Sequence, residues 1–391
     1  MKKICLVVGN TLPVPAVMGG AVEELITMLL DQNEIEQKAE FIIFSRENKK
    51  AEREAKKYKY SRIIYIPDDT VLDKVNNRIR RYASSVLKPG TLLDSGYYRK
   101  IYHILRNIKC DAIVCEGGLY HEFRQFAKKF GKEKTYLHIH HHVMADPEYD
   151  EIFGNIIAVS EFAKKEWLRT TKQKKTGAHV VYNCMNEAKF NKKITVEQRN
   201  KLRAQLGLKE DDFVVLYCGR IQEVKGVREL LRAFAGIKEH NCRLLIIGNA
   251  DFAVNTTTPF LKEVEELVQQ DTDRIRFTGY IENAELYQYY QCADMQVVPS
   301  MWEEAAGLVA IEGMLSGLPL VVTKSGGLVE YAPKEVAMQI ERNGIVENLK
   351  MAIETVMDNP VERRKMSEAS EKRAKDFTRS RFYNSYLKVF E

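Results

Sequence analysis

No stretch of this sequence approaches the roughly 20 consecutive apolar residues that cross a bilayer, although hydrophobic residues make up 45% of its 391 positions. A membrane-spanning chain is therefore not expected. The opening MKKICLVVGN joins two lysines to a short apolar run that stops at Gly9 and Asn10. It reads as a first buried strand rather than as a secretory signal. Paired cysteines are missing as well. The seven cysteines include no C-x-x-C, and their odd number argues against a disulfide framework. Several sit in apolar runs, where a reduced cysteine acts as a small hydrophobe, so a reducing, cytoplasmic setting is expected. No G-x-x-x-x-G-K-[ST] occurs, which excludes a Walker-type phosphate loop. Short-period repeats and low-complexity tracts are also absent.

What is present is alternation. KKICLVV, EFIIFS, RIIYIP, CDAIVCEG, KTYLHIH and NIIAVS are short, β-branched or aromatic, and closed by polar or glycine turns, the pattern of buried parallel strands. Segments 22–30, 97–108 and 161–169 carry helical spacing between them. After VVYN comes a charged stretch, 191–212, with isolated apolar positions only, the best candidate for a linker. The alternation then restarts with DFVVLYCG, RLLIIG, IRFTGYI, MQVVPS and LPLVVT. Strands alternating with helices predict doubly wound α/β architecture. A chain of this length is expected to hold two domains, here 1–195 and 196–370. A charged helical tail over 371–391 follows, with Phe377, Phe382, Tyr386 and Phe390 as possible anchors across 360–391.

The net charge is +6 but uneven. Between Asp73 and Lys109 nine basic residues (Lys74, Arg78, Arg80, Arg81, Lys88, Arg99, Lys100, Arg106, Lys109) face two acidic ones, Asp73 and Asp94. Tyr82, Leu87, Tyr97, Tyr98 and Ile101 are interleaved with them. Such a surface favours an anionic partner; an anionic membrane face is the expectation, and a solvated helix face is the alternative.

Three glycine-bearing segments suit chemistry. In Pro299-Ser300-Met301-Trp302-Glu303-Glu304-Ala305-Ala306-Gly307-Leu308-Val309-Ala310-Ile311-Glu312 a strand ends and helical spacing begins near Gly307. Ligands bind beyond the carboxyl ends of strands in open α/β sheets, and free amides at a helix start suit a phosphate. Glu304 and Glu312 would stand about 12 Å apart on a continuous helix. That exceeds the separation of at most about 9.5 Å in a glycosidase acid/base pair and fits two ends of one extended ligand. Solvated glutamates flanking a helix are the plainer alternative. Gly219-Arg220-Ile221-Gln222-Glu223-Val224-Lys225-Gly226 follows another strand; its arginine and lysine suit a diphosphate. Gly19 and Gly20 open the first helix after the loop 11–17, a further potential anion contact.

This order of motifs resembles the retaining GT-B glycosyltransferases, the large group 1 family that includes bacterial polysaccharide and lipid glycosyltransferases. The matching segments span nearly the whole chain: Gly19 to Ala21, the histidine-bearing strand Tyr136-Leu137-His138-Ile139-His140-His141, Ala158 to Phe162, Tyr182 through Phe190, the Gly-Arg-x4-Lys-Gly segment and the Glu-x7-Glu pair. The resemblance implies two Rossmann-like domains facing a central cleft, the first binding the acceptor and the second a nucleotide-sugar donor. It assigns Arg220 and Lys225 to the donor diphosphate, Glu304 to the sugar hydroxyls, Glu312 to the ribose, and the amides from Ala306 through Gly307 and Leu308 to Val309 to sugar or phosphate. Gly19 and Gly20 approach the donor from the other domain. His140 is the chosen histidine near the reacting carbon, with His138 and His141 as rivals.

The implied activity is transfer of a sugar from a nucleoside-diphosphate sugar, a UDP-sugar favoured, to a glycan or lipid-linked acceptor in cell-surface polysaccharide or glycoconjugate synthesis. No metal, no other cofactor and no nucleic acid are expected, and a cytoplasmic location, peripheral on the membrane, fits. Asp271-Thr272-Asp273 spells a metal signature of a different fold, but precedes a strand and reads as a loop. His138, His140 and His142 alternate onto one strand face, with no carboxylate partner evident in the sequence. The pattern departs from the family at Ala306, where an aromatic is usual, and at Cys184 and Asn186, which replace glycine and aspartate. A non-catalytic subunit and a sugar-nucleotide epimerase on the same fold are the competing functions.

Overall fold

The computed structural model describes the chain except for residues 88–91, 94, 142–143, 174–176, 191 and 251–257. Lys88, Asp94 and His142 thus lie outside the described residues. The chain divides into two compact units, residues 1–183 with 379–391, and residues 184–378.

The first unit is built on seven parallel strands: β1 (Lys2–Val8), β2 (Ala39–Arg46), β3 (Ser61–Ile66), β4 (Ala112–Glu116), β5 (Thr135–Ile139), β6 (Asn155–Ala158) and β7 (Gly177–Val180). They lie in the order β3-β2-β1-β4-β5-β6-β7. Ile4 to Val8 are fully buried, because helices cover both faces of a parallel sheet. The order reverses between β1 and β4, so their carboxyl ends frame the crevice where such sheets take ligands. The final helix, Arg379–Lys388, belongs to this unit. Tyr383 donates to Asn33 Oδ1 at 2.6 Å, and the rings of Phe390 and Tyr136 lie 5.0 Å apart.

The second unit repeats the plan with six strands: β8 (Phe213–Cys218), β9 (Cys242–Ile247), β10 (Ile275–Phe277), β11 (Met295–Val298), β12 (Leu320–Thr323) and β13 (Ala337–Ile340). Their order is β10-β9-β8-β11-β12-β13, all parallel, with the reversal between β8 and β11. The doubly wound α/β class expected from the alternation is thus present in both units.

Three expectations need correction. The stretch 191–212 is not a linker, because it contains the helix Val196–Gln205, which belongs to the second unit. Its Arg203 is 1% exposed; the guanidinium donates to the carbonyls of Cys292 and Asp212 and pairs with Asp294 at 2.8 Å. A charged residue here is a core fastener, which composition alone disguises. The units accordingly change at 183/184 rather than at 195/196, and the return to the first unit begins at Arg379 rather than at residue 371. Lastly, Tyr97, Tyr98 and Ile101 are not surface residues but core residues. The Tyr97 hydroxyl donates to the Val8 carbonyl at 2.9 Å and that of Tyr98 accepts from the Leu119 amide at 2.9 Å.

Candidate active site

In the second unit the carboxyl ends of β8 and β11 converge. After β8 the chain makes a turn over Glu223–Lys225 and enters the helix Val227–Ala235 through Gly226 at φ 72°. A Cβ on Gly226 would lie 1.9 Å from the Pro299 carbonyl oxygen, so only glycine lets this loop rest on the one after β11. The Met301 amide then donates to the Val224 carbonyl at 2.8 Å. This seam brings Lys225 Nζ to 2.6 Å from Glu304 Oε1, which also accepts from Ser300 Oγ at 2.6 Å. The ammonium lies 4.8 Å from the centre of the Trp302 ring, a cation–π distance.

Glu304 precedes the helix Leu308–Leu315, on which Glu312 sits, so the two glutamates do not share one continuous helix. Neither is an idle surface charge. Glu304 is only 13% exposed in its side chain, and Glu312 Oε2 accepts from the Tyr290 hydroxyl at 2.6 Å. Burial, with the charge of Glu312 nearby, pushes the Cys218 thiol up to about 12, so it stays protonated. Neighbouring Glu303 pairs instead with Arg342. Gly307 caps the helix with no side-chain acceptor, leaving the amides of its first turn without a side-chain cap. Arg220 follows Gly219 at the end of β8, and its carbonyl accepts from the Tyr217 hydroxyl at 2.8 Å.

Residues 198–373 match the model of the family described as glycosyl transferases group 1. That segment is a group 1 glycosyltransferase domain. The chain is 32% identical over 184 residues to the uncharacterized glycosyltransferase MJ1607 of Methanocaldococcus jannaschii, covering 46% of this chain and 45% of that protein. It is 29% identical over 215 residues to the lipopolysaccharide 1,2-N-acetylglucosaminetransferase of Salmonella typhimurium, covering 54% of each. The chain thus spans about half the length of these two curated relatives. The crystal structure of Anabaena Alr3699/HepE in complex with UDP superposes with a TM-score of 0.74 at 17% identity, covering 100% of this chain and 99% of that one. At that identity the likeness shows the fold, and the fold is GT-B.

Besides the group 1 domain, the first unit holds a second polar cluster. His138, on β5, and His140, just beyond it, turn to the same side, as strand alternation predicts. His138 Nδ1 and His140 Nε2 lie 2.9 and 2.8 Å from the same oxygen, Glu116 Oε2, at the end of β4. The other oxygen, Oε1, accepts from the Tyr386 hydroxyl at 2.9 Å. Burial alone would raise the Glu116 carboxyl, but the hydrogen bonds it accepts from His138 and His140 hold it well below the usual range. An ionised carboxylate only accepts, so each imidazole presents an N–H to it. Burial and the neighbouring His138 bring His140 down to about 4, so its ring is neutral near pH 7. His141 is exposed.

Glu116 is the carboxylate partner that the sequence did not reveal for these histidines. Its Oε and the two ring nitrogens lie within 4.8 Å of one another, close enough to hold a cation. The only sequence signal for it is its place at the end of a buried strand, where a polar residue is out of pattern. In the same unit Gly19 and Gly20, at φ 78° and 100°, lead into the helix Ala21–Glu36. A Cβ on Gly20 would lie 2.2 Å from Glu23 Oε2. Burial raises the Glu23 carboxyl, and the charge of Glu116 adds to the effect.

Proposed function

We propose that this chain transfers a sugar from a nucleoside-diphosphate sugar, a uridine diphosphate sugar foremost, to a glycan or lipid-linked acceptor, with retention of anomeric configuration and without a metal ion. The observation that carries this reading is the convergence of Lys225, Ser300 and Glu304 where β8 and β11 end, inside a group 1 domain. Departure of a nucleoside diphosphate leaves charge on phosphate oxygens. Lys225 and Arg220, with the first amides of the helix after Gly307, offer fixed positive partners for that charge. The ammonium of Lys225 is already held in place by Glu304 and Trp302, so little reorganisation accompanies its use.

Glu304, anchored by Lys225 and Ser300, keeps Oε2 for sugar hydroxyls, and Glu312, oriented by Tyr290, is assigned to the ribose. Gly19, Gly20 and His140 of the first unit carry their implied donor-side roles as part of the same proposal. The choice of uracil is supported by the UDP in the HepE structure. A role in cell-surface glycan synthesis is supported by the lipopolysaccharide transferase likeness.

The test is a thermal-shift screen with uridine, guanosine, adenosine and thymidine diphosphates and their sugars, with chelator present, on the wild type and Lys225→Ala. A shift with one base that the variant loses is expected. No shift with any nucleotide would turn the reading towards a non-catalytic subunit. Turnover of a nucleotide sugar without any acceptor would turn it towards an epimerase.

A further inference from the structure

The helix Val71–Val86 is docked the wrong way round for a soluble protein. Its start is fixed by a capping box in which Thr70 and Asp73 exchange side-chain and backbone hydrogen bonds. Ordinary surface helices turn their apolar stripe to the core and their polar face to water. Here the body is gripped by polar side chains. Asp73 pairs with Lys100 at 3.1 Å, Asn77 donates to Asp69 at 2.7 Å and accepts from Arg99 at 2.8 Å, and Arg80 donates to the Leu93 carbonyl at 3.3 Å.

The opposite side carries Leu72, Val75, Ile79, Tyr82 and Val86, spaced by three and four residues into one stripe, with Val71 beside it. All six face outward, from 56% exposed at Val75 to 82% at Leu72. Lys74, Arg78 and Arg81, again at helical spacing and exposed, line one border of this stripe. A helix of 16 residues is about 24 Å long, so this is a continuous apolar ridge with a cationic edge rather than scattered exposed residues.

We propose that this helix is a membrane-surface anchor, lying in the interface of an anionic bilayer with Leu72, Val75, Ile79, Tyr82 and Val86 among the acyl chains and Lys74, Arg78 and Arg81 against the lipid phosphates. Charge complementarity selects the occupant. The helix bears four basic residues, Lys74, Arg78, Arg80 and Arg81, and one acidic residue, Asp73, already held by Lys100. A second copy of the same helix would bring cations against cations with no carboxylate to meet them. An anionic lipid surface satisfies ridge and edge together, by burial of apolar side chains and by attraction of the basic residues to lipid phosphates. The surface narrows the interleaved segment 73–109 to one element, because Tyr97, Tyr98 and Ile101 are spent in the core. This goes beyond the donor reading and does not depend on it.

Co-sedimentation of the full chain, without nucleotide, with phosphatidylglycerol–phosphatidylcholine vesicles and with phosphatidylcholine alone tests the proposal. Binding to the anionic vesicles at low salt, weakened at high salt, is expected. The pair Leu72→Ser/Ile79→Ser should lower partitioning about tenfold or more, since each change takes an aliphatic side chain out of the acyl layer. The pair Arg78→Gln/Arg81→Gln should lower it at low salt and remove most of the salt dependence. Both pairs should melt with the wild type, because the altered side chains face away from the body. A Tyr82→Trp reporter should shift its emission to the blue on anionic vesicles. Wild type left in the supernatant at low salt, or variants that pellet as the wild type does, would overturn the proposal. So would a concentration-dependent dimer that the Leu72→Ser/Ile79→Ser pair abolishes while vesicles are ignored.

Discussion

Tyr386 and Glu116 stand 270 positions apart in sequence, yet the phenol of one donates to the carboxylate of the other at 2.9 Å in the interior of the first unit. With His138 and His140 on the second oxygen, three donors surround a single buried carboxylate. Tyr386→Phe removes one of them and should cost about 1–3 kcal/mol of the stability of that unit, read from urea unfolding. Glu116→Gln in the Tyr386→Phe background should add less than it does alone, since both changes strike one network. Full additivity would show that the bond contributes nothing.

The same cluster sets a pH dependence. His140 titrates at about 4 in the folded chain, against 6.5 for an unperturbed imidazole. As pH falls below 6.5 the unfolded chain takes up a proton that the folded chain refuses, so the stability present above pH 6.5 drains away towards pH 4. Glu116, also depressed, adds its own loss below about 4.5, as the unfolded carboxyl begins to protonate. Unfolding free energies measured from pH 7 to pH 4 should fall on the order of 2–3 kcal/mol through the His140 window. The slope should flatten in His140→Gln, and an unchanged slope would refute the assignment.

Glu303 and Glu304 should separate cleanly in kinetics. Glu304→Gln weakens the anchor of Lys225 and the group assigned to the sugar, and turnover should fall about 10²–10³-fold while the melting temperature stays near that of the wild type. Glu303→Gln loses only its pairing with Arg342, a partly exposed contact worth about 1 kcal/mol or less, and turnover should stay within a few-fold. Reversed sensitivities would move the sugar contact to Glu303.

Gly226→Ala is expected to be the most disruptive single methyl in the group 1 domain. The backbone is at φ 72°, and the added carbon would meet the Pro299 carbonyl at 1.9 Å. Strain of that kind costs about 1–3 kcal/mol before the clash is relieved. Relief must part the two loops that join Lys225 to Glu304. Nucleotide affinity should therefore drop along with melting temperature; full retention of both would refute the seam.

Chelator should leave turnover unchanged. If dialysis against chelator abolishes activity and zinc restores it, Glu116, His138 and His140 form a metal site rather than a hydrogen-bonded cluster, since their ligand atoms are close enough for either.

The alternation of strands and the glycine-rich turns were readable because burial on both faces of a parallel sheet demands continuous β-branched runs, as in Ile4 to Val8. The pairing of Lys225 with Glu304 was not readable, since spacing along the chain says nothing of which loops meet across a sheet. Glu116 and Tyr290 escaped for the same reason: each looks like an isolated polar residue until its partner arrives from a distant element. Arg203 misled outright, because a buried guanidinium that binds three backbone-rich neighbours has the composition of a surface. The helix Val71–Val86 shows the converse. Its basic residues were conspicuous, but only the structure tells which side of it faces water.

The placement of Arg379–Lys388 in the first unit has a consequence for biogenesis. A ribosome delivers residues 1–183 first, yet Tyr383 and Tyr386, which close over Asn33 and Glu116, come only after the whole of 184–378 has been made. The group 1 domain can complete its core during synthesis, while the earlier half waits with the Glu116 side chain lacking its Tyr386 donor. A nascent chain stalled near residue 378 would therefore hold a finished second unit and an unfinished first one, so that the portion made first is the portion completed last.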